Sequence, residues 1–422
     1  MQKKLIALAI AALASGAASA QSNVTVYGVA DASFESVSAT GATNTGVSTA
    51  GVSLPSRSRI SSNSSYIGFK GAEDLGNGLR AVFQIESQFA VDNATNNSSG
   101  NTSGIGTIAT RDTYVGVASN DLGAVQLGFL STPHRLISAN YDVMPGSTGG
   151  AGYNALLGHI NIGASRATNG TTANTFAGVS NTAVSNINAI FRTQGIGYNS
   201  PSFSGVSAAL FYSPNENKPN SLAASGETNP SVWNAALKYD GGAFKAAYSV
   251  LTQYDSASTN AAGNRLLSQL LAGMYTIDNA TTVSLMYNRN EQALDGNDNS
   301  SSPSLVKNAV WWLGVRHVMG AHELAASYAV ANDGSVTNTG TNATPATADE
   351  RGAKMIGLRY GYNFSKRTQA YAMYSKINNK ANGIYDFGAG TALNNSQAAS
   401  NTNAIGAGAD PRAFGIGLRH SF

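Results

Sequence analysis

The chain contains no cysteine. That excludes thiol nucleophiles, zinc fingers and iron–sulfur clusters, and no disulfide holds the fold together. Charge is scarce as well: Asp, Glu, Lys and Arg make up 12% of the 422 residues, where a soluble domain carries roughly 25%. Basic and acidic residues stand at 26 against 23, and two of the lysines, Lys3 and Lys4, lie at the extreme N-terminus. No basic surplus is left over for nucleic acid. The five histidines, His134, His159, His317, His322 and His420, have no partners at metal-ligand spacing. No G-x-S-x-G surrounds a serine, and the Gly-x-Gly pairs at Gly104–Gly106, Gly195–Gly197 and Gly415–Gly417 lack a βαβ context. Catalytic residues, metal and cofactor are all expected to be absent.

Long apolar runs are missing too. Past the N-terminus the most apolar stretch is Ala309–Val315, the length of a strand, whereas a membrane helix needs roughly 18–20 residues. The N-terminus itself has a positive start at Lys3-Lys4, a short apolar run Leu5–Leu13 and a small-residue site Ala18-Ser19-Ala20. These are the parts of a secretory signal peptide over residues 1–20, cleaved between Ala20 and Gln21.

What is present is alternation. From Arg412 to Phe422 the chain places Phe414, Ile416, Leu418, His420 and Phe422 on one face, and Ala413, Gly415, Gly417, Arg419 and Ser421 on the other. Leu79, Ala81, Phe83, Ile85 and Phe89 alternate in the same way with Arg80, Gln84, Glu86 and Gln88. Such segments recur from Val24 to the last residue. The gaps between them alternate between a few residues and long polar stretches rich in Asn, Ser, Thr and Gly. The reading is sixteen strands, seven short turns and eight long loops over residues 21–422. An even strand number with short turns at one end and long loops at the other predicts an all-β fold: a sixteen-stranded antiparallel transmembrane barrel. A soluble β-sandwich would alternate as well, but would not segregate connection lengths so strictly. Tyr360, Tyr362, Phe364 and Phe422 fall at the short-turn end, and Trp311 and Trp312 near the long-loop end, as interfacial girdles would.

The longest gap, residues 131–186, calls for a function, because a structureless loop of that length is uncommon in a compact domain. If the apolar faces meet lipid, Arg80, Glu86, Arg316 and Arg359 line the lumen.

Several stretches together resemble the general diffusion porins of Gram-negative outer membranes, closest to the sixteen-stranded trimeric porins of the β-proteobacterial type. They are VTVYG at Val24–Gly28, SYIGFKGAEDLGNGLRAVFQIE at Ser65–Glu86, RDTYVGV at Arg111–Val117, DLGAVQLG at Asp121–Gly128 and the terminal GIGLRHSF. The resemblance implies short periplasmic turns, long extracellular loops, and a homotrimer in which each barrel holds its own water-filled pore. It also implies that the third long loop, 131–186, folds inward and brings Arg135 and Asp142 to a constriction shared with Arg80, Glu86, Arg111, Arg316 and Arg359. Expected partners are outer-membrane lipid and lipopolysaccharide, small hydrophilic solutes and ions, and the barrel-assembly machinery, which would read Phe422. Relatives often carry Arg near the positions of Tyr66 and Phe129, so any anion preference here is expected to be weak. The expected function is passive diffusion. An adhesin or receptor barrel and a solute-specific channel are the alternatives.

Overall fold

The computed structural model describes residues 23–42, 53–91, 108–144, 150–160, 187–188, 191–214, 231–254, 265–294, 304–338, 350–387, 393 and 407–422. The expected cleavage pair Ala20 and Gln21, and most of the long-loop residues, lie outside that set.

The alternating segments form one closed antiparallel sheet of sixteen staves. In chain order the first five are β1 Asn23–Thr40, β2 in two pieces Leu54–Ser62 and Tyr66–Gly76, β3 Leu79–Gln88, β4 Thr113–Ser119 and β5 Gly123–Ser131. After the long gap come β6 Arg192–Asn199, β7 Val206–Ser213, β8 Ser231–Asp240, β9 Phe244–Tyr254, β10 Arg265–Ile277 and β11 Thr281–Leu294. The last five are β12 Ser304–Met319, β13 in pieces His322–Ala331 and Ser335–Asn338, β14 Ala353–Asn363, β15 Thr368–Asn379 and β16 Asp410–Ser421. Neighbours in sequence are neighbours in the wall, because a two-residue turn joins antiparallel strands directly. At the β10–β11 turn both Asp278 (φ 53°) and Asn279 (φ 54°) take the left-handed conformation that such a hairpin requires.

Alternation decides which side each residue takes. On β16 Phe414 and Ile416 are each 56% exposed on the outer surface, while Ala413 is 1% exposed on the inner one. Leu79 and Ile85 face out, opposite Glu86, and Leu358 and Tyr360 face out, opposite Arg359. A band of exposed apolar side chains therefore surrounds a polar interior, the arrangement a barrel needs in hydrocarbon.

Closure occurs where the chain's two ends meet. β1 pairs with β16 from Val29↔Ser421 to Thr40↔Asp410. Beyond that register Gly28 and Phe422 exchange both backbone hydrogen bonds, each 3.1 Å. Residue 28 has to be glycine: a Cβ there would lie 2.5 Å from the Phe422 ring and from the Tyr66 carbonyl oxygen. On its other edge β1 pairs with both pieces of β2. At the break between them the Ser65 hydroxyl donates to the Asp31 carbonyl at 3.0 Å and accepts the Asp31 amide at 2.9 Å.

Two sequence expectations are corrected. Trp311 faces outward against Tyr287, with ring centroids 4.4 Å apart, but Trp312 points inward and is fully buried. Consecutive strand residues cannot share a face, so only one of the pair can belong to a girdle. The sixth strand, expected directly after the 131–186 gap, starts at Arg192. Ile187–Asn188 instead pairs with His159–Ile160 inside the long connection.

Candidate functional site

Between β5 and β6 the chain turns into the barrel. Thr132 caps a short helix, α1 (Pro133–Asn140), its hydroxyl accepting the Arg135 amide at 3.3 Å, and Pro133 supplies a preset first turn. Ile137, Tyr141, Val143, Met144, Leu156 and Leu157 are buried in one cluster with Met286, Val310, Trp312 and Met355 of the inner wall. Backbone groups of a segment held inside a protein need partners, and the wall provides them. Ser284 donates to the Tyr141 carbonyl at 2.6 Å, and Asn308 to the His159 carbonyl at 2.6 Å. Asn288 accepts the Gly158 amide at 3.0 Å. Ser375 donates to Gly150 at 3.2 Å and Ser327 to Ala151 at 3.3 Å. The segment is thus stitched across the inner face from β8 to β15.

His134 anchors the start of that seam. Its amide donates to Asn234 Oδ1 at 2.8 Å; Nδ1 lies 3.2 Å from Ser249 Oγ and Nε2 3.2 Å from Ser268 Oγ. The Ser268 hydroxyl proton is used on Asn290 Oδ1 at 2.6 Å. Ser268 Oγ therefore accepts from Nε2–H, and Ser249 donates to Nδ1. Both amide protons of Asn288 go elsewhere, to Ser268 Oγ at 2.9 Å and to the Gln269 carbonyl at 3.0 Å. Burial pushes the imidazole pKa down to about 3, so the ring is neutral.

Asp142 moves the other way. Burial pushes its carboxyl up to about 7, against the pull of the Met144 amide at 2.8 Å and the Tyr153 amide at 3.3 Å. A histidine pKa depressed on docking favours the docked loop above about 6.5 and loses that contribution toward pH 3. A raised carboxyl favours the docked loop at low pH and loses that contribution as pH rises toward 7. The two slopes oppose each other. In Asp142→Asn, docking is expected to weaken on acidification below about pH 6.5, and in His134→Gln on raising pH from 4 to 7. Current noise through single channels across that range is the readout; identical profiles in both variants and the wild type would contradict the assignment.

The Trp312 indole and Val143 crowd the space above Gly314. A leucine at 314 must displace one of them, at about 1–3 kcal/mol. Gly314→Leu is therefore expected to leave the barrel folded but detach the loop, seen as protease access near Val143. A loop as protected as in the wild type would count against this packing.

The wall left uncovered carries arginines. On its β3–β6 side Arg111 is ion-paired with Glu86, and Arg192 with Asp112 at 2.7 Å. Tyr27 of β1 also donates to Glu86 at 3.1 Å. Arg135, on the first turn of α1, is half-buried and close enough to Arg192 for mutual repulsion, and has no acidic partner among the described residues. This group thus holds three arginines against two carboxylates. Around β12–β16, β1 and β2, Glu323 joins Arg316 and Arg359, each at 2.9 Å. Asp31 binds Arg419 at 3.0 Å, and Glu35 binds Arg59 at 2.8 Å. Here four arginines face three carboxylates. Arg359 also stacks on Tyr371, 4.6 Å from its centroid.

The expected site residues therefore fall into four places. Glu86, Arg111 and Arg135 come together, and Arg316 and Arg359 share Glu323. Arg80 sits at the short-turn mouth, bonded to Asn120 at 3.0 Å, outside both groups. Asp142 faces the loop's own amides rather than the channel. Sequence reading missed Arg192, Asp112, Asp31, Glu35, Arg59 and Arg419. For Asp31 and Glu35 a signal existed: Asp31, Ser33 and Glu35 occupy one face of β1, opposite Phe34. Tyr66 stacks under the Arg111 guanidinium, 4.5 Å from its centroid, and so takes part in this group without charge.

Comparison with known proteins gives a consistent picture. The Gram-negative porin family matches residues 7–382. Outer membrane porin protein 32 of Delftia acidovorans is 26% identical over 435 residues, covering all of both chains. Major outer membrane protein P.IB of Neisseria lactamica is 28% identical over 375 residues, covering 88% of this chain and 91% of its own. Among solved structures, the anion-selective porin from Comamonas acidovorans superposes with a TM-score of 0.65 at 22% identity, over 95% of this chain and 100% of that one. OmpF of Salmonella typhi superposes at 0.53 with 15% identity, over 94% and 97%.

Proposed function

The chain belongs to the Gram-negative porin family, and from that premise we propose how its channel treats what passes through it. The protein is an outer-membrane channel for passive diffusion of ions and small hydrophilic solutes. It works without catalysis and without a cofactor. The inward loop is its constriction, and the route runs past that loop along the two arginine groups of the inner wall. Fixed charges on a narrow wall bias which ions enter. Each of the two arginine groups exceeds its carboxylates by one. The loop's own acid is turned away from the channel. The preference is therefore for anions, and it is weak, because most of the arginines are already paired.

Arg135 carries this reading, as a loop arginine with no acidic partner among the described residues. Arg135→Glu is expected to shift the zero-current potential in a salt gradient toward cations, while Arg80→Glu at the mouth changes it little. Equal effects of the two would remove the constriction from its assigned place. The similar fold of the anion-selective porin from Comamonas acidovorans supports the sign. Residues 1–20 serve as the export signal, the barrel assembles as a homotrimer, and the barrel-assembly machinery reads its C-terminal aromatic. Addition of a sugar or an organic acid is expected to leave conductance unblocked; saturable block would make this a solute-specific channel.

A further inference from the structure

The connection between β15 and β16 also turns into the barrel. At the rim the Lys380 amide donates to the Gly352 carbonyl at 2.9 Å and the Asn382 amide to the Glu350 carbonyl at 2.8 Å. Asn379, the last residue of β15, then holds Tyr385 much as a neighbouring strand would. Its Oδ1 accepts the Tyr385 amide at 3.0 Å, and its Nδ2 donates to the Tyr385 carbonyl at 2.8 Å. Asp386 closes the next turn, accepting the amides of Phe387 at 2.7 Å and Leu393 at 2.9 Å. Tyr385, Phe387 and Leu393 are thereby carried inward. They are buried in the same apolar cluster as Leu156 and Leu157 of the constriction loop.

These side chains meet the strip Gly150–Ile160 at both of its ends. At one end Phe387 covers Gly150, where a Cβ would lie 2.7 Å from the Phe387 ring. At the other, Asn308 divides its two amide protons between the connections. One goes to the His159 carbonyl at 2.6 Å and the other to the Tyr385 hydroxyl at 3.2 Å. Asn308 Oδ1 accepts from Asn290 at 3.0 Å, and Asn290 Oδ1 accepts the Ser268 hydroxyl at 2.6 Å. His134 Nε2–H donates to Ser268 at 3.2 Å. The donors therefore run in one direction from α1 to Tyr385, across β10, β11 and β12, and hydrogen bonds in series strengthen one another. Asn308 is buried, and removal of the Tyr385 hydroxyl takes the acceptor from one of its protons.

We propose that the β15–β16 connection is a latch on the constriction, with Tyr385 and Phe387 as positioning residues that clamp the strip Gly150–Ile160 against the wall from the long-loop end. Both side chains are buried, so they act on solute flow only through the strip. The latch rests on the reading of the inward loop as the constriction. It does not depend on the sign of ion selectivity.

The chain has no cysteine, so one introduced thiol reports release of the strip. Ala155→Cys, at a position 2% exposed, is labelled in the purified full-length barrel with a charged methanethiosulfonate, and single-channel current is recorded from the same preparations. Labelling is expected to be slow in this parent and about tenfold faster in Tyr385→Phe, which removes only the acceptor. Phe387→Ala is expected to accelerate it as well, whereas Phe387→Met, which keeps the apolar volume, stays near the parent. Tyr248→Phe, which removes a hydroxyl on the outer wall, is expected to change nothing. In an Asn308→Ala background Tyr385→Phe is expected to add little, because its effect passes through Asn308. Labelling at the parent rate in both Tyr385→Phe and Phe387→Ala overturns the latch. An effect of Tyr385→Phe that is equally large without Asn308 overturns it too. Faster labelling with unaltered conductance and current noise supports the latch and contradicts the constriction reading instead.

Discussion

Removal of residues 148–182 is expected to raise single-channel conductance, on the order of twofold. The deletion takes away the strip Gly150–Ile160, which Ser375, Ser327, Asn288 and Asn308 hold against the inner wall. It leaves α1 in place, because His134 binds Asn234, Ser249 and Ser268 independently of that strip. None of the sixteen staves is touched, so the barrel is expected to stay folded. Bilayer recordings of both proteins in the same salt provide the check. Unchanged conductance would mean that the strip does not narrow the route.

Deletion of Phe422 has the second large effect, and it falls on assembly. The residue makes two backbone hydrogen bonds to Gly28, each 3.1 Å, and lays its ring over the space that Gly28 leaves open. Two such bonds and a partly buried ring amount to about 3 kcal/mol. In lipid the loss is compounded, because an unpaired strand end has no water to bond with. Folded barrel recovered from the outer membrane is expected to fall on the order of tenfold. Phe422→Ala keeps the backbone pair and loses only the ring, so it separates recognition of the aromatic from closure of the sheet. Normal recovery of the deletion variant would contradict both roles.

Period-two alternation carried the fold almost completely. It decides which face of each strand meets lipid, and the two lengths of connection decide the topology. The strand ends and the inward role of Trp312 needed coordinates, because a girdle residue and a residue that packs the loop look alike in sequence. The site was only partly legible. Arg316 and Arg359 were found because their strand neighbours are apolar. Their shared partner Glu323 was not, because pairing across a barrel depends on register between staves rather than on spacing within one. Asp142 was placed in the channel by its position in the loop. Nothing in the sequence shows that the amides of Met144 and Tyr153 turn it inward. Arg192 escaped notice because it follows the loop by sequence and joins Arg111 and Arg135 only once the sheet is closed.

The central claim is an open, passive channel whose exposed wall carries a small excess of arginine. The zero-current potential of the wild-type protein in a planar bilayer, measured across a potassium chloride gradient after step-like ohmic insertion, tests it most directly. The account predicts a modest potential of the sign set by chloride. A potential of the potassium sign, or insertion without conductance steps, would contradict it.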